Sequence, residues 1–150
     1  GWRKAAAENW PGATAFAVGA AVLAYGLVYP FVMAGPGFAP YELSPRLAQA
    51  ARAAVKGGCK PEIVTISYRE PSLVFLTRTD LAMTNAEGAA RFVRAAPCRV
   101  ALVDAASEPK FLAELAGDPG VSLSGRVAGT NLNGGKLLDI GVYVRQGIGQ

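Results

Sequence analysis

Five neighbouring residues, Tyr68-Arg69-Glu70-Pro71-Ser72, carry the side chains of this sequence that are best placed to bind a ligand. Tyr68 is the last residue of the β-branched run Glu62–Tyr68, which predicts a buried strand. Pro71 lies where the first turn of a helix is predicted to begin. In open α/β sheets, ligands bind beyond the carboxyl ends of strands, where helix N-terminal amides attract anions. Arg69 is then a candidate partner for a phosphate, with Tyr68, Glu70 and Ser72 as further ligand contacts. The simpler alternative is that Glu70 and Ser72 cap the helix and that Arg69 is solvated.

Asn131 is the other candidate ligand contact, in the stretch Asn131-Leu132-Asn133-Gly134-Gly135. An Asn-Gly pair between two apolar runs strongly predicts a β-hairpin. Turn chemistry therefore explains these residues without a ligand, although they could also face an acceptor molecule.

Catalytic residues are not evident. The chain has no histidine, which excludes Ser-His-Asp and Cys-His chemistry and the zinc sites built on imidazole. Neither Glu87 nor Asp104 has an evident carboxylate partner for acid–base catalysis, and no GxGxxG or Walker pattern supports a nucleotide site. We therefore predict no catalytic residue, no metal site and no cofactor within this chain. The lack of a nucleophile–base pair argues against an independent hydrolase.

Two cysteines, Cys59 and Cys98, precede two predicted strands. Their wide separation excludes CxxC redox and zinc-ribbon motifs. In a sheet of the common order 2-1-3 the two strand starts are neighbours, so a disulfide would form in an oxidising compartment if the Cα atoms lie within about 7 Å. Two buried thiols that never meet are the alternative.

An uncharged segment precedes these residues, between Glu8 and Glu42. Its apolar centre, residues 13–33, would span about 32 Å as a helix and match a hydrocarbon core of roughly 30 Å. We predict a transmembrane helix here, because a signal peptide has a shorter apolar region and a buried core helix of this length is rare.

Interfacial and flanking residues set the limits of this segment: Trp10 at one edge, Tyr25 and Tyr29 toward the other, and Pro30 with residues 35–40 ending the helix. Arg3 and Lys4 place residues 1–12 in the cytoplasm by the positive-inside tendency. Residues 34–42 would then be a linker, and residues 43–150 a soluble domain outside.

Small residues recur at i, i+4 spacing in the helix, namely Ala13, Ala17 and Ala21, and Ala20 with Ala24. Such faces let transmembrane helices approach closely, which a lone anchor does not need. Because the first residue is Gly1 and not Met, we expect the chain to be cut from a longer protein. We hypothesise that this is the last helix of a multi-spanning protein.

The soluble part alternates strands with short helices, which predicts an α/β fold: a small three-layer α/β/α domain with a mostly parallel sheet and a C-terminal antiparallel hairpin. Ser44-Pro45 reads as an N-cap followed by proline. The predicted helices cover residues 45–55, 72–78, 86–96 and 110–117, and the predicted strands cover 62–68, 81–85, 98–104, 121–132 and 136–145.

Charge favours a lipid partner over nucleic acid. Residues 1–42 hold two basic and two acidic residues of the 15 and 11 in the chain, so the excess of +4 lies in residues 43–150. The basic residues are scattered without interleaved aromatics, which argues against nucleic acid and is compatible with anionic membrane lipid.

The run YREPSLVFLTRTD, Tyr68–Asp80, resembles a segment in the C-terminal extracytoplasmic domain of bacterial multi-spanning glycosyltransferases. These are the relatives of dolichyl-phosphate-mannose-protein mannosyltransferase and of the aminoarabinose transferase that modifies lipid A. This resemblance extends over nearly the whole chain and is not concentrated in one sharp motif. Further segments that agree with it are SPRLAQA, RVALVD, PKFLAEL and GRVAGTNLNGGK.

The resemblance implies transfer of a sugar from a polyprenyl-phosphate donor to a lipid or another acceptor at the outer face of the bacterial inner membrane. The family's catalytic acidic residues lie in the first extracytoplasmic loop, and no position here matches them, so this chain would not be active alone. The implied partners are membrane lipid, neighbouring transmembrane helices, and the lipid-linked sugar and its acceptor through the rest of the protein. A single-span, non-enzymatic binding module of the cell envelope is the alternative.

Overall fold

The computed structural model describes residues 10–34, 42–77, 79, 81–131 and 133–145. The charged flank with Arg3 and Lys4, the Trp10 side chain, the linker residues 35–41 and residues 78, 80 and 132 lie outside this described part. The chain divides into two compact units, Gly1–Ala39 and Pro40–Gln150.

Helix α1, Trp10–Ala34, makes up the described part of the first unit. Its span Pro11–Val32 is uncharged and entirely unburied. By length and composition, it is the one helix among the described residues that is long and apolar enough to cross a membrane. Its Ala-rich composition favours the helix, since alanine has the highest helix propensity.

Pro30 lies inside α1, so the prediction that it ends the helix is wrong. A proline removes one backbone hydrogen bond and crowds the carbonyl four residues earlier, here that of Gly26. The residues after Pro30 bond to carbonyls beyond that point, so the helix can continue for one more turn.

The second unit contains the elements that the sequence predicts, with shifted ends. Ser44 is not an N-cap, because the helix already begins at Leu43, after Glu42, and Ser44 lies in its first turn. In chain order the elements are α2 Leu43–Ala54, β1 Glu62–Ile66, α3 Pro71–Leu76, β2 Ala82–Met83, α4 Ala86–Ala95, β3 Arg99–Asp104, α5 Glu108–Leu115, β4 Val121–Asn131 and β5 Lys136–Arg145.

The strands form one mixed sheet in the order β2-β1-β3-β5-β4. β1 is parallel to β2 and β3, and β5 is antiparallel to β3 and β4. The order 2-1-3 and the terminal hairpin are confirmed. The sheet is mixed rather than mostly parallel, because two of its four strand pairings are antiparallel and these involve the long strands β4 and β5, of 11 and 10 residues.

Two hydrophobic clusters form the core of this unit, and β3 contributes to both by alternation. Val100 and Leu102 join the first cluster, Ala101 and Val103 the second. The first cluster also contains Leu43, Leu47, Ala51, Leu73, Ile140 and Val142, and the second also contains Val64, Ala89, Val93, Phe111, Leu115 and Tyr143.

Cys59 and Cys98 form a disulfide with their Cα atoms 6.3 Å apart. The Glu62 N–H donates to the Cys98 carbonyl oxygen at 3.1 Å, so the backbone pairing of the two segments begins beside the disulfide. The disulfide therefore joins the segments that lead into β1 and β3, the pair of parallel strands at the centre of the sheet.

Replacing both cysteines with serine should lower the free energy of unfolding by about 3–4 kcal/mol, because the disulfide closes a loop of 39 residues in the unfolded chain. Urea unfolding of the detergent-solubilised protein, followed by circular dichroism, measures the change. The single variant Cys98→Ser should match the double variant. Equal gel mobility with and without reductant, with both thiols alkylatable after denaturation, would contradict the disulfide.

Candidate functional site

The segment Tyr68–Ser72 lies at the carboxyl end of β1, as the sequence predicts, but the strand stops two residues earlier than expected. Ser67 adopts the left-handed conformation, with a φ of 68°, which ends the extended backbone. The turn is held by the Thr65 hydroxyl, which donates to the Tyr68 carbonyl oxygen at 3.2 Å. The chain is thereby turned from the strand toward the start of α3.

A chain of three hydroxyl groups joins the starts of α2 and α3. The Tyr68 hydroxyl lies 2.7 Å from Ser44 Oγ, which lies 2.8 Å from Ser72 Oγ. Tyr68 and Ser44 are buried, and burial raises the pKa of the Tyr68 hydroxyl above its ordinary value, a change that the Ser44 hydrogen bond partly opposes. The phenol therefore stays protonated at neutral pH and serves as a hydrogen-bonding link between the two helices.

Glu70 ties this edge of the sheet to the terminal hairpin. Its side chain is only 8% exposed, and its carboxylate accepts from Asn133 Nδ2 at 2.7 Å and from the Asn133 backbone N–H at 3.3 Å. We call this pair the Glu70–Asn133 clasp. Glu70 is the N-cap residue of α3, but its side chain makes no capping hydrogen bond, because its carboxylate is turned to Asn133 instead.

Asn131 shapes the hairpin turn. Its carbonyl oxygen accepts from the Gly135 N–H at 2.8 Å, and its Oδ1 accepts from the Asn133 N–H at 3.0 Å. Gly135 has a φ of 61°, a conformation that favours glycine. The turn interpretation of this stretch agrees with these contacts, and the turn presents Asn133 to Glu70.

The structure thus brings four predicted contact residues, Tyr68, Glu70, Ser72 and Asn131, to one edge of the domain, through bonds among themselves, Ser44 and Asn133. Arg69 is exposed beside them. The sequence predicts Ser44 only as an N-cap and Asn133 only as part of a turn. Their partners are 24 to 63 residues away in the chain, and no local pattern encodes such pairs.

Asp104 is a further polar residue at this edge, at the end of β3. It is 8% exposed, and its Oδ1 atom has no hydrogen-bond partner within the described part of the chain. Nearby in the sequence, Ser107 Oγ lies 3.4 Å from Ser67 Oγ, so the loops that follow β1 and β3 meet. A buried carboxylate oxygen without a donor is destabilising.

A separate charged network links α5 to the hairpin. Arg126 binds Glu108 through two nitrogens, at 2.8 and 3.1 Å, and its Nε donates to Asp139 at 2.9 Å. The Tyr143 hydroxyl also donates to Glu108. The Arg126 hydrogen bonds hold the pKa of Glu108 below its ordinary value, while burial, with the Glu108 contact, raises the pKa of Tyr143 to about 12.

Within each of these two polar clusters, the side chains are hydrogen-bonded to one another. Among the described residues, no group of three or more acidic or cysteine side chains could hold a metal ion. The candidate site is therefore an edge of the domain that is shaped by internal hydrogen bonds, with Arg69 as its exposed cation.

Replacing Asn133 with alanine should lower the stability by about 1–2 kcal/mol, because the buried Glu70 carboxylate loses its shorter hydrogen bond. Urea unfolding measures the loss, and Lys136→Ala, an exposed change on the same hairpin, is the control. The double variant Glu70→Ala/Asn133→Ala should lose less than the two single losses added together. If Asn133→Ala is no worse than Lys136→Ala, the clasp does not stabilise the domain.

The network predicts stability that falls at both extremes of pH. Because the folded-state pKa of Glu108 is depressed, its contribution is present above the unfolded value near 4.5 and is lost as pH falls through the lower folded value. Because the pKa of Tyr143 is raised to about 12, its contribution is present below 10 and is lost between pH 10 and 12.

Tyr143→Phe keeps the ring packed on Phe111 and should remove the alkaline part of this loss, roughly 1–2 kcal/mol between pH 10 and 12. Urea unfolding across this pH range measures it. Tyr68→Phe is a comparison that leaves the Tyr143 contribution in place. An unchanged alkaline slope in Tyr143→Phe would contradict the assignment.

Comparison with known proteins finds no family model, no curated protein and no solved structure that matches this chain. Its function is therefore inferred from its own residues and their arrangement.

Proposed function

We propose that this chain is the C-terminal part of an integral-membrane glycosyltransferase, formed by the last membrane helix and a periplasmic accessory domain. The enzyme moves a sugar from a polyprenyl-phosphate donor to a lipid or another envelope acceptor, with its catalytic residues outside this chain. The observation that carries the proposal is a 25-residue uncharged helix, unburied along its apolar span, joined to a domain with its own core.

The surface of α1 supports its place in a membrane with other helices around it. Its large apolar side chains, among them Phe16, Leu23 and Phe31, are exposed all along the helix. Burying such side chains is worth roughly 1.5–3 kcal/mol each, which a bilayer supplies. A shallow groove lined by Ala24, Tyr25, Val28, Tyr29 and Val32 is entirely apolar and fits a neighbouring helix, as do the alanines at i, i+4 spacing.

The disulfide supports a periplasmic location for the domain. Disulfides persist in oxidising compartments and are rare in the cytosol. The link between Cys59 and Cys98 is consistent with the basic flank, Arg3 and Lys4, remaining on the cytoplasmic side.

In this proposal the domain has a three-layer α/β/α architecture, and its edge at Tyr68–Ser72 contributes to recognition rather than to chemistry. The division of the core into two clusters that alternate along β3 supports the three layers.

Tyr68, Glu70 and Ser72 are occupied by internal hydrogen bonds, so the exposed guanidinium of Arg69 is the group that meets a donor phosphate or the acceptor.

A second candidate function is that of a single-span, non-enzymatic binding module of the cell envelope. It is favoured because Pro40–Gln150 is a compact unit of its own. The unit from Pro40 onward has its own hydrophobic core and a covalent crosslink. Such a domain would bind a partner without the rest of an enzyme.

Intact mass separates the two candidates. The protein is extracted from its source membrane and its mass is compared with the 15.5 kDa of this chain. A mass several times larger supports the transferase, and a mass near that of the chain supports the binding module.

Removal of residues 43–150 from the intact protein should abolish or redirect sugar transfer, because the domain is proposed to recognise the acceptor or to cover the catalytic cavity. Transfer from a radiolabelled polyprenyl-phosphate sugar in isolated membranes measures this, with protein levels checked by immunoblotting. Arg69→Ala should weaken acceptor or donor use, and Lys136→Ala should leave it unchanged. Unchanged kinetics in the truncated protein would contradict a role for the domain.

A further inference from the structure

The end of α3 places an aromatic side chain in solvent. Leu73 is fully buried, whereas Phe75, two residues further, is 83% exposed, and Leu76 is 38% exposed. Two residues correspond to about 200° of rotation around a helix, so Phe75 points away from the core to which Leu73 belongs. These two neighbouring apolar side chains form an exposed tip, and Phe75 contributes little to the packing of the domain.

A cationic side chain lies beside this tip. Arg52 of α2 is exposed, and its Nη2 donates to the Leu76 carbonyl oxygen, which places the guanidinium beside the end of α3. Lys56 lies four residues after Arg52 and is also exposed, and Arg69 is exposed on the loop that enters α3. An exposed apolar pair with a cation beside it matches the interfacial layer of an anionic bilayer, where rings enter the acyl boundary and cations meet phosphates.

The chain carries features that favour a bilayer as the occupant of this surface. Eight residues, 35–42, link the end of α1 to the start of α2, and a tether of that length extends to about 30 Å at most. The domain therefore stays near any bilayer that holds α1. Residues 43–150 also carry the whole charge excess of +4, which complements anionic lipid.

We infer that the tip of α3 docks on an anionic phospholipid surface, with Phe75 and Leu76 in the interfacial layer and Arg52 against lipid phosphates. The inference rests on the part of the proposed function that inserts α1 into a membrane, and it is independent of sugar transfer. Docking at this point holds one face of the domain toward the lipid.

Spin labelling of the full chain in lipid nanodiscs tests this inference. Both native cysteines are in the disulfide, so a nitroxide on Phe75→Cys reports its own position. Leu112→Cys on α5 is the matched control, since Leu112 is 45% exposed and its helix packs in the other hydrophobic cluster. The readout is accessibility to oxygen, which partitions into lipid, relative to a water-soluble nickel chelate.

With phosphatidylglycerol in the bilayer, we expect an oxygen-to-nickel ratio at position 75 severalfold above that at position 112. The ratio should fall in Arg52→Glu, recover in Arg52→Lys, and fall in about 1 M salt or in pure phosphatidylcholine. A label at position 75 that is as open to nickel as position 112 overturns the inference. A label shielded from both reagents also overturns it and indicates a protein contact. Elution of the chain apart from the nanodiscs overturns the membrane part of the proposed function as well, whereas sugar transfer is tested separately.

Discussion

The backbone of β3 pairs in parallel with β1 on one side and antiparallel with β5 on the other, and its four central residues, Val100–Val103, are fully buried. Successive residues of the strand enter different hydrophobic clusters. A slip of one residue would therefore send every one of these side chains to the wrong face of the sheet. Burial of both faces of this strand fixes the register of the hairpin and of the parallel strands, and the helices pack on surfaces that this register creates.

The two ends of the central strands are closed by different chemistry. At their N-terminal ends, the Cys59–Cys98 disulfide joins the segments that lead into β1 and β3. Near the carboxyl end of β1, the hydroxyl chain and the Glu70–Asn133 clasp join two helix starts and the hairpin turn. A small domain has limited apolar surface to bury. The covalent crosslink and the charge-assisted hydrogen bonds therefore add to the stability that the hydrophobic core supplies.

This arrangement bears on function because it uses most of the polar groups that could have contacted a ligand. Tyr68, Glu70 and Ser72 hold the domain together, and the charged network of Arg126 holds the hairpin to α5. The exposed side chains in this part of the domain include two cations, Arg69 and Arg52, and the ring of Phe75. Such a surface is suited to contact lipid or phosphate, as the proposed accessory role requires.

The sequence alone determined the features that short-range patterns encode. The apolar run predicts α1, the alternation of strands and helices predicts the α/β domain, and Asn133-Gly134 predicts the hairpin turn, because each depends on residues close together in the chain. Tertiary structure alone decided where β1 ends, because Ser67 adopts a left-handed conformation that turns the chain away from the strand. It also decided the pairing of Glu70 with Asn133 and the meeting of the two cysteines, which the sequence left open. Those contacts join residues 39 to 63 positions apart, and they arise only when the folded sheet brings the two segments of each pair together.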